Sequence, residues 1–289
     1  MNYLITGGTG SFGNAYARHL LSKGASRVVI FSRDEVKQAE MREAIPDDRM
    51  RFFIGDVRDR DRLRKAFHGV DVVIHAAALK RIEVGQYNPD EMVKTNIMGA
   101  MNVIEAAREA DVNKVIALST DKAFQPISPY GQSKALAESL FMNANNSRGN
   151  SGPHFAVTRY GNVAFSRGSV IPKWKKIIED GLTLHITDPS CTRFWMVMEE
   201  ACALVDKAIE EMPKEVLIPD LKAFTLRDLA QAMDAGNSWF TAGLPPWEKM
   251  HESLSDTLCS GTAPKIPVAE LREIICRNGY HPFGKWKAV

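Results

Sequence analysis

The segment LSTDKAFQPISPYGQSK, from Leu118 to Lys134, gathers groups that can move protons: hydroxyl, carboxyl and amine at Thr120, Asp121 and Lys122, then a phenol at Tyr130 and an amine at Lys134. Tyr130 and Lys134 are one helical turn apart, so a helix would set both on one face. Pro126 and Pro129 keep the chain out of helix until just before Tyr130. Ahead of the cluster, Val115-Ile116-Ala117-Leu118 has the length and apolar character of a buried strand. A strand end carrying Thr, Asp and Lys beside a helix carrying Tyr and Lys suits proton abstraction from a hydroxyl, because a nearby cation such as Lys134 favours the phenolate.

The elements that position this cluster begin almost at residue 1. Tyr3-Leu4-Ile5 is a short strand, followed by Thr6-Gly7-Gly8-Thr9-Gly10-Ser11-Phe12-Gly13 and a helix that stops near Gly24. Strand, glycine-rich turn and helix form the setting in which such a motif binds a dinucleotide. Gly7 permits the tight turn, Gly10 lets backbone amides approach a pyrophosphate, and Gly13 lets the helix pack on the strand. The spacing is GxxGxxG. A second strand, Arg27 to Phe31, ends in Ser32-Arg33-Asp34, where a dinucleotide fold reads the adenosine ribose. Arg33, with Lys37 close behind, suits a 2′-phosphate and favours NADP; Asp34 and Glu35 leave NAD open.

A third strand, Arg51 to Ile54, leads to Gly55-Asp56-Val57, placed to meet the adenine; Asp56 also reads as an N-cap for the next helix. A fourth, Val70 to Ile74, runs into His75-Ala76-Ala77-Ala78-Leu79-Lys80, whose small residues admit a cofactor backbone. Lys80 could meet a substrate or cofactor phosphate, or stand as a surface lysine. A long helix is expected from Asn88-Pro89 to Ala110, with Thr95 and Asn96 facing either the cofactor or a helix contact. Phe155 to Tyr160 is a sixth strand. Alternation of strand and helix implies right-handed crossovers and an α/β fold, a Rossmann-like doubly wound parallel sheet. Gly7, Arg33, Asp56, Ala77 and Thr120 would then converge at one edge of that sheet.

Bulk properties narrow the field. The 289 residues are 45% hydrophobic and 25% charged, with a formal net charge of +2, values of a globular protein without a nucleic-acid or membrane-surface bias. Cys191, Cys202, Cys259 and Cys276 form no CxxC pair, which fits reduced thiols in a cytoplasm. No histidine pair has metal-ligand spacing, no leader is recognised, and no apolar run approaches the ~18 residues of a membrane span. The expectation is a cytoplasmic protein with no metal.

Through TGGTGSFG, GDVRD, HAAALK and YGQSK the chain resembles the extended short-chain dehydrogenase/reductases. FSRDE, KTNIMGA, ALSTDKA, TRYGNV, SRGSVIP and TRFW narrow the resemblance to the inverting UDP-N-acetylglucosamine 4,6-dehydratases of soluble, pseudaminic-acid type. The Asp121-Lys122 pair is the sharpest point of likeness. The resemblance implies that Tyr130, with Thr120 and Lys134, takes the proton of the sugar 4-hydroxyl while NADP accepts hydride from carbon 4. Lys122, which must be uncharged to act as a base, then removes the carbon-5 proton and Asp121 protonates the departing 6-hydroxyl; the alternative for Lys122 is a salt bridge to Asp121 or another acid. Hydride returns to carbon 6, and carbon 5 is reprotonated on the opposite face.

It further implies cofactor contacts from Thr9, Ser11, Phe12, Ser32, Asp34, Val57, Ala76, Ala78, Thr95, Tyr130, Lys134 and Val163. Substrate contacts would come from Lys80, Asn162, Arg167, Val170, Arg193 and Glu248, with Arg193 meeting a diphosphate. Residues 1–160 would form the NADP-binding domain, with some later segments returning to it, and 161–289 mainly a small α/β substrate-binding part. A homo-oligomer is implied. Thr225 to Met233 and Val268 to Asn278 read as helices. Pro246-Trp247-Glu248-Lys249-Met250-His251-Glu252 departs from the resembled RPGEKLHE signature at Pro245 and Trp247, which bears on the sugar recognised. A sugar-nucleotide 4-epimerase, a 5,6-dehydratase and a non-enzymatic NADP sensor are the alternatives.

Overall fold

Strands β1 (Asn2–Thr6), β2 (Arg27–Ser32), β3 (Met50–Ile54), β4 (Val72–His75), β5 (Lys114–Leu118) and β6 (His154–Thr158) form one parallel sheet in the order β3-β2-β1-β4-β5-β6. The computed structural model describes residues 1–149, 152–233 and 239–279. Leu4, Ile5, Val28 to Phe31 and Val72 to Ile74 are buried. They read as unbroken apolar runs because helices cover both faces of the sheet. The strand order reverses between β2 and β4 around β1, which opens a crevice at the strands' carboxyl ends.

One face packs α1 (Ser11–Ser22) and α2 (Glu35–Ala44), with Tyr16, Leu20 and Met41 in the shared core. The other packs α3 (Arg60–Phe67) and two later helices, which carry Val103 and Phe141 into the core. The run expected as one helix from Asn88 to Ala110 is composite: α5 (Pro89–Met92), a π-helical turn over Val93–Met98, then α6 (Gly99–Glu109). A separate short helix, α4 (Ile82–Tyr87), precedes it. Buried positions recur every three or four residues through the π turn, at Met92, Thr95, Asn96, Gly99, Ala100, Val103 and Ile104, so the sequence pattern alone reads as continuous. Asp56 does not cap α3. Asp59 does, accepting from Arg62 N at 2.9 Å, because the chain turns between Asp56 and Asp59 before the helix starts.

α7 (Pro129–Ala144) begins as its sequence dictates: Ser128 accepts from Gly131 N at 3.2 Å, and Pro129 takes the first turn, where its missing N–H costs nothing. Glu138 on α7 pairs with Arg159 just past β6, with N–O distances of 2.9 and 2.5 Å. Residues 198–219 belong to this unit, and α9 (Met198–Glu211) lies against α1. There Asp206 accepts from Tyr16 Oη at 2.8 Å and Lys23 Nζ at 2.9 Å.

The second unit comprises 161–197 and the described residues from 220 on. In it β9 (Thr192–Met196) pairs parallel with β7 (Asn162–Val163) and antiparallel with β10 (Ala223–Thr225). β8 (Leu184–Ile186) pairs with β11 (Trp239–Thr241). Trp174 of α8 (Val170–Glu179), Leu229 of α10 (Leu226–Ala232) and Leu271 of α11 (Val268–Arg277) share its core with Trp195 and Phe224. Thr225 caps α10, accepting from Asp228 N at 3.0 Å.

Candidate active site

The glycine turn is built for a phosphate group. Gly7 has φ 66°, the left-handed region that glycine enters without a Cβ clash, and donates to Phe31 O at 2.8 Å. A side chain on Gly7 would lie 2.8 Å from Ala77 Cα, so the loops after β1 and β4 meet closely. One on Gly13 would lie 2.3 Å from Gly8 O, so α1 packs directly on the turn. Gly10, at the N-cap of α1, provides no side-chain cap. The helix therefore presents amides and positive dipole where Thr9, Gly10, Ser11 and Phe12 lie, which fits a dinucleotide pyrophosphate. The half-buried Ala76, Ala77 and Ala78 flank the turn, and Lys80 is exposed beyond them. Thr95 Oγ1 is buried with no partner, a polar atom suited to a bound group.

At the ends of β2 and β3 the charges are interlocked. Asp34 caps α2, accepting from Lys37 N at 3.0 Å, and also holds the Lys37 ammonium. Arg33, with its side chain 54% exposed, makes one long contact of 3.5 Å to Asp56 Oδ2. Asp56 is gripped more tightly by Arg58. Its carboxyl lies below the ordinary range, because the Arg58 hydrogen bonds outweigh the opposing cost of burial. Ser32 is fixed by the buried Gln38, whose Nε2 donates to Ser32 O, Ser32 Oγ and Phe53 O at 2.9–3.0 Å. Val57 packs on Gly99 of α6. Gln38 and Arg58 were not singled out from the sequence, since neither has a spacing signal of its own.

The proton-moving groups cluster at the end of β5. Thr120 Oγ1 donates to Asp121 Oδ1 at 2.9 Å, and Lys122 Nζ donates to the same oxygen at 3.0 Å. Asp121 is fully buried, and its Oδ2 has no partner. Burial pushes Tyr130 up to about 12, while the Lys122 charge and a hydrogen bond with Thr120 favour the phenolate. The cation acting on the phenol is thus Lys122. Lys134 directs its ammonium to Leu118 O at 2.7 Å.

Asn96, buried within the π turn, accepts from Leu79 N at 2.8 Å and donates to Leu79 O at 3.0 Å and Ser133 Oγ at 2.9 Å. It joins the loop after β4 to the Tyr130 helix. His75 is buried, hydrogen-bonded to Thr6 Oγ1 at 2.9 Å, and held down to about 3 by desolvation and the Lys134 charge, so it is neutral.

Desolvation lowers Lys134 from 10.5 to about 8, with Glu138 opposing. The folded chain therefore holds fewer protons than the unfolded one between about pH 8 and 10.5. Stability should rise through that window, and the cost of burying the ammonium is fully present below it. Urea melts of the wild type against Lys134→Met are expected to show the wild type gaining up to about 3 kcal/mol relative to the variant as pH rises across the window.

In the second unit, Asn162 Oδ1 is buried with no partner, Arg167 is exposed and Val163 and Val170 are half-buried. Arg193 is buried and already committed: its guanidinium pairs with Glu248 and donates to Thr192 O at 2.7 Å and Met250 O at 3.3 Å. The two residues expected to contact substrate separately thus form one ion pair. Among the described residues no group of His, Cys, Asp and Glu is arranged to hold a metal, and no helix is long and apolar enough to cross a membrane.

A parallel sheet with a glycine cradle at its switch point, and a Tyr–Lys helix beside Thr120, defines a Rossmann-fold protein of the extended short-chain dehydrogenase/reductase class. The chain belongs to the polysaccharide biosynthesis protein family, whose pattern matches residues 3–266. It is 48% identical over 254 residues to the UDP-N-acetylglucosamine 4,6-dehydratase (inverting) of Campylobacter jejuni subsp. jejuni serotype O:2, covering 87% of this chain and 76% of that protein. It is 44% identical over 260 residues to a UDP-glucose 4-epimerase of Rickettsia conorii, with the same two coverages. Among solved structures, that of Pen from Bacillus thuringiensis superposes with a TM-score of 0.91 at 34% identity, covering 96% of this chain and 97% of that one.

Proposed function

We propose that the protein is an enzyme that dehydrates UDP-N-acetylglucosamine across carbons 4 to 6, inverts carbon 5 and gives a UDP-4-keto-6-deoxy-L-hexosamine. The observation that carries this is the Thr120–Asp121–Lys122 cluster, centred on the buried Asp121 and acting on Tyr130. A 4-epimerase needs Tyr130 and Lys134 but has no use for an acid–base pair beside them. The 48% identical relative bears the dehydratase name.

The cofactor is NADP, held by the glycine turn, by Ala76 to Ala78 and by Arg33, whose exposed guanidinium suits a 2′-phosphate. Asp34 is occupied as a helix cap and is poorly placed to read a ribose diol. Bound there, the dinucleotide supplies reversible two-electron chemistry to the sugar. Tyr130 takes the 4-hydroxyl proton, favoured as phenolate by the Lys122 charge. Lys122 removes the carbon-5 proton, made acidic by the ketone at carbon 4, and Asp121 protonates the leaving 6-hydroxyl.

Those last roles require Lys122 uncharged and Asp121 protonated. Ammonium–carboxylate and amine–carboxylic acid forms of the pair hold the same number of protons, one transfer apart along the 3.0 Å contact. Elimination of water then leaves the pair in its ionic form, as base and acid exchange roles.

Asn162, Arg167, Val170 and the Arg193–Glu248 pair are assigned to the substrate, with Arg193 orienting Glu248. Residues 1–160 are assigned to cofactor and 161–289 mainly to substrate, in a cytoplasmic homo-oligomer. Incubating the protein with UDP-N-acetylglucosamine in heavy water and following products by NMR tests the reading. The expected product is a 4-keto-6-deoxy sugar of L configuration with deuterium at carbon 5. A galacto-configured sugar retaining its 6-hydroxyl would establish the epimerase instead.

A further inference from the structure

We propose that Arg58 sets the preference for a 2′-phosphorylated dinucleotide without binding the phosphate itself, by screening the carboxylate of Asp56 at the adenosine end of the cradle. The inference rests on the NADP reading and adds a residue that this reading did not contain.

Arg58 wraps Asp56 from three directions. Its backbone N donates to Oδ1 at 2.9 Å, and its Nε and Nη2 donate to Oδ2 at 2.9 and 2.7 Å. Its remaining nitrogen, Nη1, donates to Glu91 at 2.9 Å, and Lys94 in turn reaches Glu91 at 2.8 Å and Asp90 at 3.0 Å. Charges of alternating sign thus run from Arg33 through Asp56, Arg58 and Glu91 to Lys94. Lys37 is drawn to Asp34. Arg33 is left with a single long contact, and that contact is to Asp56.

A phosphate held by Arg33 therefore sits next to Asp56, because one guanidinium reaches both. A phosphate monoester carries about −1.5 to −2 charges at neutral pH and is repelled by a bare carboxylate at that range. A ribose diol carries no charge and feels no such repulsion. Asp56 stays useful as an acceptor for the adenine amino group only if another cation cancels its charge, and Arg58 is placed to do so. Loss of Arg58 should weaken the phosphorylated dinucleotide selectively, whereas loss of local packing would weaken both dinucleotides alike.

The test titrates the full chain with NADPH and with NADH, following nicotinamide fluorescence, and takes the ratio of the two affinities. Arg58→Gln is expected to lower the NADPH:NADH ratio by about tenfold at low salt and by less at high salt. Arg58→Lys should hold the ratio within about threefold of wild type, and Asp56→Asn combined with Arg58→Gln should restore it, since no bare carboxylate remains. If the wild type prefers NADPH but Arg58→Gln leaves the ratio unchanged, or the double variant fails to restore it, the role given to Arg58 is wrong while the NADP reading stands. If the wild type binds NADH as tightly as NADPH, the NADP reading itself fails and takes this inference with it.

Discussion

Replacing Lys122 with methionine is expected to lower kcat by about 10³-fold, within the range for loss of a general base. Two losses combine. Carbon 5 loses the amine that would take its proton, and Tyr130 loses the cation that favours its phenolate. The phenol, already pushed up to about 12 by burial, then moves further from the ionised form at neutral pH. Deuterium uptake at carbon 5 from heavy water should vanish together with turnover.

The variant also leaves Asp121, fully buried, without its ammonium partner. Removing one member of a buried pair costs about 3–5 kcal/mol. Thermal melts should show that loss. Adding Asp121→Asn to Lys122→Met removes the stranded charge, so stability should recover while activity stays absent. That contrast separates chemistry from folding. Lys122→Met with turnover within about tenfold of wild type would place the carbon-5 base elsewhere and favour the epimerase reading.

What the sequence disclosed follows the range of the interactions involved. The sheet was legible because runs such as Val28 to Phe31 are buried on both faces and cannot alternate with polar residues. The glycine turn was legible because Gly7 and Gly13 answer local demands, a positive φ and a helix lying on its own turn. The proton-moving residues fall within one strand–turn–helix segment, so their proximity was nearly guaranteed by the chain.

Pairings between distant residues were not legible. Arg193 and Glu248 are 55 residues apart, and each was read as a separate substrate contact. GDVRDRD offers several acids that could cap a helix, and the chain reversal from Asp56 to Asp59 decides among them. The π turn at Val93–Met98 leaves the three-or-four-residue spacing of buried positions intact, so nothing in the pattern marks it, and the bonds of Asn96 within it to Leu79 and Ser133 are made across 17 and 37 residues.

Gly131 shows how a short-range demand can hide inside a motif. It lies next to Tyr130 in the first turn of α7, where helix propensity favours alanine by roughly 1 kcal/mol. An added Cβ there would lie 2.3 Å from the Lys122 carbonyl oxygen and 3.0 Å from Pro126 Cβ. That oxygen is backbone and cannot swing aside, so the helix and the Thr120–Ala123 turn must separate. Ordinary contact begins near 3.4 Å, so the displacement is about 1 Å.

A shift of that size moves Tyr130 and Lys134 together away from Thr120, Asp121 and Lys122. Misplacement by 1 Å can cost about 10²-fold in rate. Gly131→Ala is therefore expected to lose about 10²-fold in kcat and about 1–3 kcal/mol in stability, the overpacking cost exceeding the propensity gain. Its affinity for NADPH should fall less than its turnover, because the glycine cradle after β1 does not touch Gly131. Kinetics and thermal melts on the same preparation check both numbers. An alanine variant as active as wild type and melting at a higher temperature would mean that the turn bearing Asp121 and Lys122 can yield to the helix, and that close docking of the two is not what aligns the acid, the base and the phenol.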